Sequence, residues 1–382
     1  MKKSLVLAFL LVAGCLKIVQ AQATKEYRVL TVGVPFLLVP GDARAAGMGD
    51  MGIATAPDTY AQQWNAAKYI FNPQDQGIGL SYVPYLRKLT NDINVGQLNY
   101  FRRLNERSAF AASIRYFNLG EVSSRQSATE TGLILRPNQF AVDGSYSLKL
   151  SETFAMGITA RYIRSDLKIQ TSIEDAAAIN SFAVDISGYL ESRLLHFQNF
   201  EGQWRAGFNI SNIGPKLKYS SSNEESFLPT NLGIGAGFDF ILNKDNTLGV
   251  YTEFNKLLVP TPSDSNADGV INREDDYYNK NALEGIFSSF TDSPGGLQEE
   301  LKEITWAVGV EYFFKNNFSL RTGYRHESPE KGFRQYLTLG TGFTYSIARI
   351  QLSYLFSTAH TQVNPLEGGL RFSLAFDLSK IR

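Results

Sequence analysis

The stretch Asp264–Asp275, DSNADGVINRED, carries the most specific chemical pattern in this chain. Oxygen-bearing side chains fall at its first, third and fifth positions (Asp264, Asn266 and Asp268). Gly269 takes the sixth, where the backbone must turn sharply. Val270 offers a backbone carbonyl at the seventh position, and Asn272 and Asp275 stand at the ninth and twelfth. Such spacing lets several oxygens converge on one hard cation, so loop 264–275 is a candidate for Ca2+. Two features depart from the template: Asp275 stands where a longer glutamate is usual, and Pro260 and Pro262 precede the loop instead of a helix. A solvated acidic loop fits the same residues.

The remaining chemistry-bearing residues are sparse. The three histidines, His196, His326 and His360, show no metal-type spacing. His326 near Ser328 is the only local pairing of a base with a hydroxyl, and a triad needs geometry that a pair of neighbours does not supply. No enzyme is expected, and no cofactor is required. Gly47, Gly49 and Gly52 satisfy G-x-G-x-x-G, but Asp42-Ala43-Arg44-Ala45-Ala46 precedes them where a dinucleotide site needs a hydrophobic strand. Close packing of small residues explains them better.

The N-terminus, MKKSLVLAFLLVAGCLKIVQAQ, has a positive start, an apolar run and small residues ending at Ala21. Residues 1–21 read as a secretory signal peptide. A second cleavage site competes, because Val12-Ala13-Gly14-Cys15 has the form of a lipoprotein box that would leave Cys15 lipidated. Cleavage after Ala21 removes the only cysteine, and with it any disulfide or thiol chemistry. The whole chain balances 37 basic against 37 acidic residues, and the signal peptide takes three lysines with it. That balance gives no support for nucleic-acid binding.

What positions these residues is a series of alternating segments from about Gly77 onward. In one, Phe154, Met156, Ile158, Ala160 and Tyr162 alternate with Ala155, Gly157, Thr159 and Arg161. In others, Trp204, Ala206, Phe208 and Ile210 alternate with Arg205, Gly207 and Asn209, and Leu370, Phe372, Leu374 and Phe376 with Arg371, Ser373 and Ala375. Period two means strands, and segments of about ten residues are what a tilted strand needs to cross a bilayer. Fourteen such segments start near residues 77, 92, 108, 139, 153, 181, 203, 230, 246, 304, 318, 336, 348 and 366. Their connections alternate short (150–152, 243–245, 316–317, 346–347) and long (120–138, 166–180, 215–229, 259–303). An even strand count with that asymmetry predicts a closed antiparallel transmembrane β-barrel, all-β, with its long loops extracellular. After the signal peptide no run of 18 apolar residues occurs, which excludes a helical membrane protein. The 19 Tyr, 26 Phe and 32 Gly suit interfacial girdles and a curved, closely packed wall.

Residues 22–76 precede the barrel proper, 77–382. Within them GDARAAGMGDMGIATAPDTYAQQWNAA (41–67) is small-residue rich and mildly helical toward its end, the composition of a segment that folds inward as a plug. This stretch resembles the N-terminal signature of the PorV/PorQ group, outer-membrane barrels associated with the type IX secretion system of Bacteroidetes. GIFSSFTDSPGGLQEELKEI (285–304) resembles the long loop of the PorV branch of that group, and YLTLGTGFTY and LEGGLRFSLAFDL near the C-terminus fit as well. The resemblance spans nearly the whole mature chain. It implies a FadL-like fourteen-stranded barrel in the outer membrane. It further implies a secretion component that binds cargo bearing the type IX C-terminal domain at the translocon barrel and delivers it to the proteins of the surface attachment complex.

The long outer loop 259–303 is where such contacts are expected. Phe287, Phe290, Pro294 and Leu297 place apolar groups in an otherwise acidic segment, Pro294-Gly295-Gly296 marks a turn, and Glu299–Glu303 is helix-like. Packing of these groups on neighbouring loops is the alternative. A second reading of the whole chain is a FadL-like channel for hydrophobic small molecules, with the N-terminal segment as a hatch. Composition and periodicity predict the same barrel, plug and loops for both readings.

Overall fold

The computed structural model describes residues 28–124, 132–167, 178–218, 225–271, 275–359, 364 and 366–381. The signal peptide, Cys15, Asn272 and His360 lie outside them. Fourteen long strands form the wall. They are β1 (Gln76–Pro84), β2 (Ile93–Asn105), β3 (Ser108–Leu119), β4 (Asn138–Lys149), β5 (Phe154–Asp166), β6 (Ile179–Glu191) and β7 (Glu201–Ile213). The series continues with β8 (Asn231–Asn243), β9 (Asn246–Leu257), β10 (Thr305–Phe314), β11 (Phe318–His326), β12 (Tyr336–Tyr345), β13 (Ala348–Ser357) and β14 (Arg371–Asp377).

Each strand pairs antiparallel with its sequence neighbour, and β14 closes the ring on β1 with Gly77 opposite Asp377 and Tyr82 opposite Phe372. Closure leaves no edge whose backbone groups would go unpaired in lipid. Thirteen strands begin within two residues of the expected starts; β14 begins at Arg371, because Gly368 turns with φ +84° just before it.

The alternation resolves into an apolar outside and a polar inside. Ile158, Phe182, Trp204, Ile234 and Leu320 stand exposed on the outer surface, while Asp143, Arg161, Asp185, Arg205, Asp239 and Arg321 are buried within. An inward charge in mid-strand needs a partner once it leaves water, and the wall supplies them. Arg161 bridges Asp143 at 2.7 Å and Asp185 at 2.9 Å, and Arg205 bridges Asp239 at 2.7 Å and also Glu191.

The N-terminal segment fills the lumen and runs its length. At the long-loop end Gly33 donates its N–H to the carbonyl of Phe227 (2.9 Å), and Phe36 stacks on Phe117 of β3. Residues 41–72 then descend past the wall as short turns of helix, α1 (Ala43–Ala46), α2 (Ala61–Trp64) and a 3-10 turn over Ala66–Phe71, before joining β1 at the short-turn end. The G-x-G-x-x-G triplet serves this packing. Gly47 lies against Gly340 of β12, with only 3.0 Å between the position of a Cβ and the Gly340 Cα, and Gly49 takes a positive φ (+75°) beside Tyr324. The wall answers with its own glycines: a Cβ on Gly323 would stand 2.2 Å from the Met48 carbonyl carbon. No side chain fits there, so glycine content reports the plug as well as the curvature.

Candidate functional site

Two features of the interior and rim are built from residues the fold brings together. The first is the attachment of the N-terminal segment. Arg44 of α1 donates Nε to Glu311 Oε1 (3.0 Å) and Nη2 to Glu311 Oε2 (2.6 Å), and Nη1 to Asp58 at 2.6 Å. Arg321 of β11 donates Nε to the same Glu311 Oε1 at 2.5 Å. Glu253 of β9 accepts the N–H groups of Gly52 and Ile53, both at 2.9 Å, and Asp50 pairs with Arg371 (2.9 Å) and accepts from the Tyr336 hydroxyl. Gln62 donates to Ser145 and Ala66 accepts from Ser147, each at 2.6 Å. The segment is thus fixed to strands around the wall by buried hydrogen bonds, several of them charge-assisted, each stronger than it would be in water.

Above it, at the long-loop end, lies a cavity of about 370 Å³. One side is aliphatic, from Leu30, Val32 and Leu37 of the N-terminal segment; the other carries Glu253, Arg325 and Arg334 of the wall and its loops.

The second feature is the loop after β9, which covers this end. The sequence anticipates helix around 299–303, and the structure places α5 there (Leu297–Lys302). It adds α3 (Asp276–Asn279) and α4 (Ala282–Ser288), the latter capped by the Asn281 side chain, which accepts the N–H of Glu284 at 2.9 Å.

Helix α5 is inside out. Its acidic side faces the protein: Lys256 holds Glu300 (3.0 Å) and Glu303 (2.7 Å), Lys331 holds Glu299 (2.8 Å) and Glu303 (2.9 Å), and Arg28 holds Glu299 (3.0 Å). Its apolar side faces out, with Leu297 and Leu301 exposed four residues apart. Helix α4 repeats the arrangement, with Gly285 buried against Phe227 and Pro260 and with Leu283 and Phe287 exposed. Phe287 and Leu297 are 75% and 74% exposed, values that belong to surface-tip polar residues and not to a phenylalanine and a leucine. Phe290 is partly covered, with the Lys256 ammonium 6.0 Å from its ring centre, and Pro294 is exposed at the turn.

Burial pushes the carboxyls of Glu299 and Glu303 up, but hydrogen bonds from Lys331 to Glu299 and from Lys256, Thr261 and Lys331 to Glu303, with the lysine charges, hold both below the usual carboxylate range. A depressed folded pKa contributes stability that is present above the ordinary value, about 4.3 for Glu, and is lost as pH falls through the lowered one. Residues 297–303 should therefore be protected from amide hydrogen exchange at pH 7 and lose that protection, relative to the barrel strands, below about pH 4. Equal protection across that range, after correction for intrinsic exchange, would rule out the lysine clamp.

The remaining expected site residues are placed as follows. Asp264 accepts the N–H groups of Asp268 (3.2 Å) and Gly269 (2.7 Å), and Asp268 accepts that of Val270 (2.7 Å), with Gly269 at φ +84°. The first half of loop 264–275 is thus wound about its own carboxylates. Asn266 donates its side-chain amide to Asp268 at 3.1 Å. Asp275 is buried, and its carboxylate accepts the N–H and hydroxyl of Ser265. Among the described residues no group of three or more His, Cys, Asp or Glu side chains takes a metal-holding arrangement. His196 pairs with Glu201 (2.8 Å) at the exposed short-turn end, and His326 stacks on Trp306 with ring centres 5.1 Å apart. The Ser328 hydroxyl accepts the N–H of Glu330.

Sequence reasoning missed the lysine clamp and the Glu311 node. The signal for the node was present: a charge at the centre of a ten-residue alternating strand, such as Glu311 or Arg321, cannot face lipid and must have an interior partner.

In comparison with known proteins, the family described as type IX secretion system protein PorV matches residues 22–264. No curated protein sequence matches the chain. Among solved structures it is similar to the Ralstonia pickettii toluene transporter TbuX, at 12% identity and TM-score 0.48, over 89% of this chain and 97% of that one. It is likewise similar to the Pseudomonas putida toluene transporter TodX, at 10% identity and TM-score 0.47, over 91% and 98%. A Pseudomonas aeruginosa FadL homologue shows 11% identity and TM-score 0.45, over 88% and 98%. What those channels carry says nothing about this chain.

Proposed function

We propose, from the premise that this chain belongs to the PorV family of type IX secretion system proteins and is a multi-pass β-barrel of the outer membrane, that it works at its extracellular rim and not through its lumen. In this reading it is a non-enzymatic carrier. It binds cargo bearing the type IX C-terminal domain as the translocon releases it, and passes that cargo to the surface attachment complex.

The observation that carries the reading is the pair α4 and α5: α5 spends its carboxylates on internal clamps, α4 buries its glycine face, and together they present Leu283, Phe287, Leu297 and Leu301 outward. Apolar side chains held out at a polar rim favour protein contact. The filled lumen supports it too, since a segment bound to Glu253 and Glu311 leaves the barrel as an anchor.

Deletion of the gene tests the reading. Proteins with type IX C-terminal domains should then disappear from the cell surface and medium and accumulate in the periplasm. Their unchanged export would end it.

The cavity of about 370 Å³, with its aliphatic side, favours a second reading as a channel for hydrophobic small molecules. That reading requires uptake of such compounds to fall in the deletion strain while cargo still reaches the surface.

A further inference from the structure

The short-turn end of the barrel holds a second pocket, of about 210 Å³, remote from the rim and independent of the reading above. Its lining is polar: Thr59 and Gln74 from the N-terminal segment, and Asn317, Thr344, Arg349 and Lys380 from the wall and turns. Arg349 is inward-facing on β13, opposite Thr344 of β12. Among the described residues its one hydrogen bond runs from Nε to Thr344 Oγ1, at 3.0 Å. Its two terminal nitrogens have no acceptor among the described residues.

Arg321, fully buried on the next strand but one, repeats the deficit. Its Nε is taken by Glu311, but Nη1 and Nη2 have no hydrogen-bond partner. Those two nitrogens lie 3.0 and 3.2 Å from where a Cβ of Gly342 would be, which carries the guanidinium from its own cross-strand position at Gly340 one inward-facing place toward Thr344 and Arg349. The carboxylates nearby are already engaged, Asp42 by the Ala45 N–H and the Trp64 indole. Arg44 and Arg321 share Glu311, Asp58 is held by Arg44, and Asp377, the acid in the pocket wall, has Lys380 at 3.5 Å. Buried guanidinium donors without acceptors are rare, and each calls for a partner.

We propose that this pocket binds a phosphate group. A tetrahedral oxyanion offers acceptors to the Arg349 fork and to hydroxyl and amide donors together, which is the geometry in which arginine excels over lysine. The pocket opens at the periplasmic mouth, so the group can come from free phosphate or from a phosphoglycerol headgroup reaching over the rim.

The test is calorimetric titration of the full chain in detergent with sodium phosphate, at constant ionic strength, against a chloride control. Arg349→Gln should weaken phosphate binding at least tenfold and leave the melting temperature in phosphate-free buffer unmoved. Phosphate should raise the melting temperature of the wild type and not of the variant. Lys380→Gln, at an exposed position, should weaken binding a few-fold and stands in if Arg349→Gln fails to fold. Glycerol phosphate competing with phosphate assigns the headgroup source, and its failure to compete assigns the free anion; both support the site. No phosphate binding by the wild type, or equal binding by Arg349→Gln, overturns it.

Discussion

Glutamine in place of Glu311 frees the N-terminal segment from the barrel while the wall stays folded. Glu311 is completely buried and, among the described residues, is the one carboxylate that Arg321 bonds, as well as the larger part of what Arg44 bonds. Removing its charge leaves two buried guanidinium groups around an amide that can accept one bond well and turns an N–H donor toward the other. Breaking a buried pair by removing one partner costs about 3–5 kcal/mol, so the docked-to-released ratio should fall by two orders of magnitude or more. The cost falls on the docking because the wall's ladders use only the backbone of Glu311, which the substitution keeps, and the Arg161 and Arg205 clusters do not involve it. Trypsin applied to the folded protein in detergent should then cut at Arg44 and Lys68, which are buried in the native protein. The heat-modifiable electrophoretic migration of the barrel should persist. If both sites stay protected and melting is unchanged, the node does not hold the segment.

Aspartate in place of Phe287 and Leu297 together should abolish co-purification of cargo or translocon while leaving the barrel's stability untouched. Both side chains are about three-quarters exposed, so neither takes part in folding, and substitutions at such positions usually fall within about 0.5 kcal/mol. At an interface the same groups would be desolvated anchors, worth about 2 kcal/mol or more each, and a charge in the pocket that receives them adds to the loss. A drop of roughly a thousandfold for the pair is expected on that basis. Leu89, on the loop between β1 and β2 at the same end and equally exposed, is the control. If Leu89→Asp weakens capture as much as the pair does, the effect is general rim charge; if the pair captures cargo normally, α4 and α5 are not the contact surface.

The barrel was legible in the residues because lipid imposes a simple rule on them. Every second side chain from Phe154 to Tyr162 or from Phe372 to Phe376 had to be apolar, and the segments had to be long enough to cross, so strand number, faces and turn asymmetry followed from periodicity alone. Local turn chemistry was legible for a similar reason: Pro294-Gly295-Gly296 acts on its immediate neighbours. The type IX family was legible in the 41–67 stretch, which lies inside the family match over residues 22–264.

What no local pattern could decide was which charges meet. Arg44 and Glu311 are 267 positions apart, and Lys256 reaches Glu303 only after a 47-residue excursion. Their attraction depends on distances set by barrel closure and by the path of the N-terminal segment through the lumen. The same holds for α5, whose Glu299–Glu303 run reads only as helix-like in sequence, with nothing to say which side faces in. Only when Lys256, Lys331 and Arg28 arrive from three separate parts of the chain does the charged side turn inward and the leucine side become the surface.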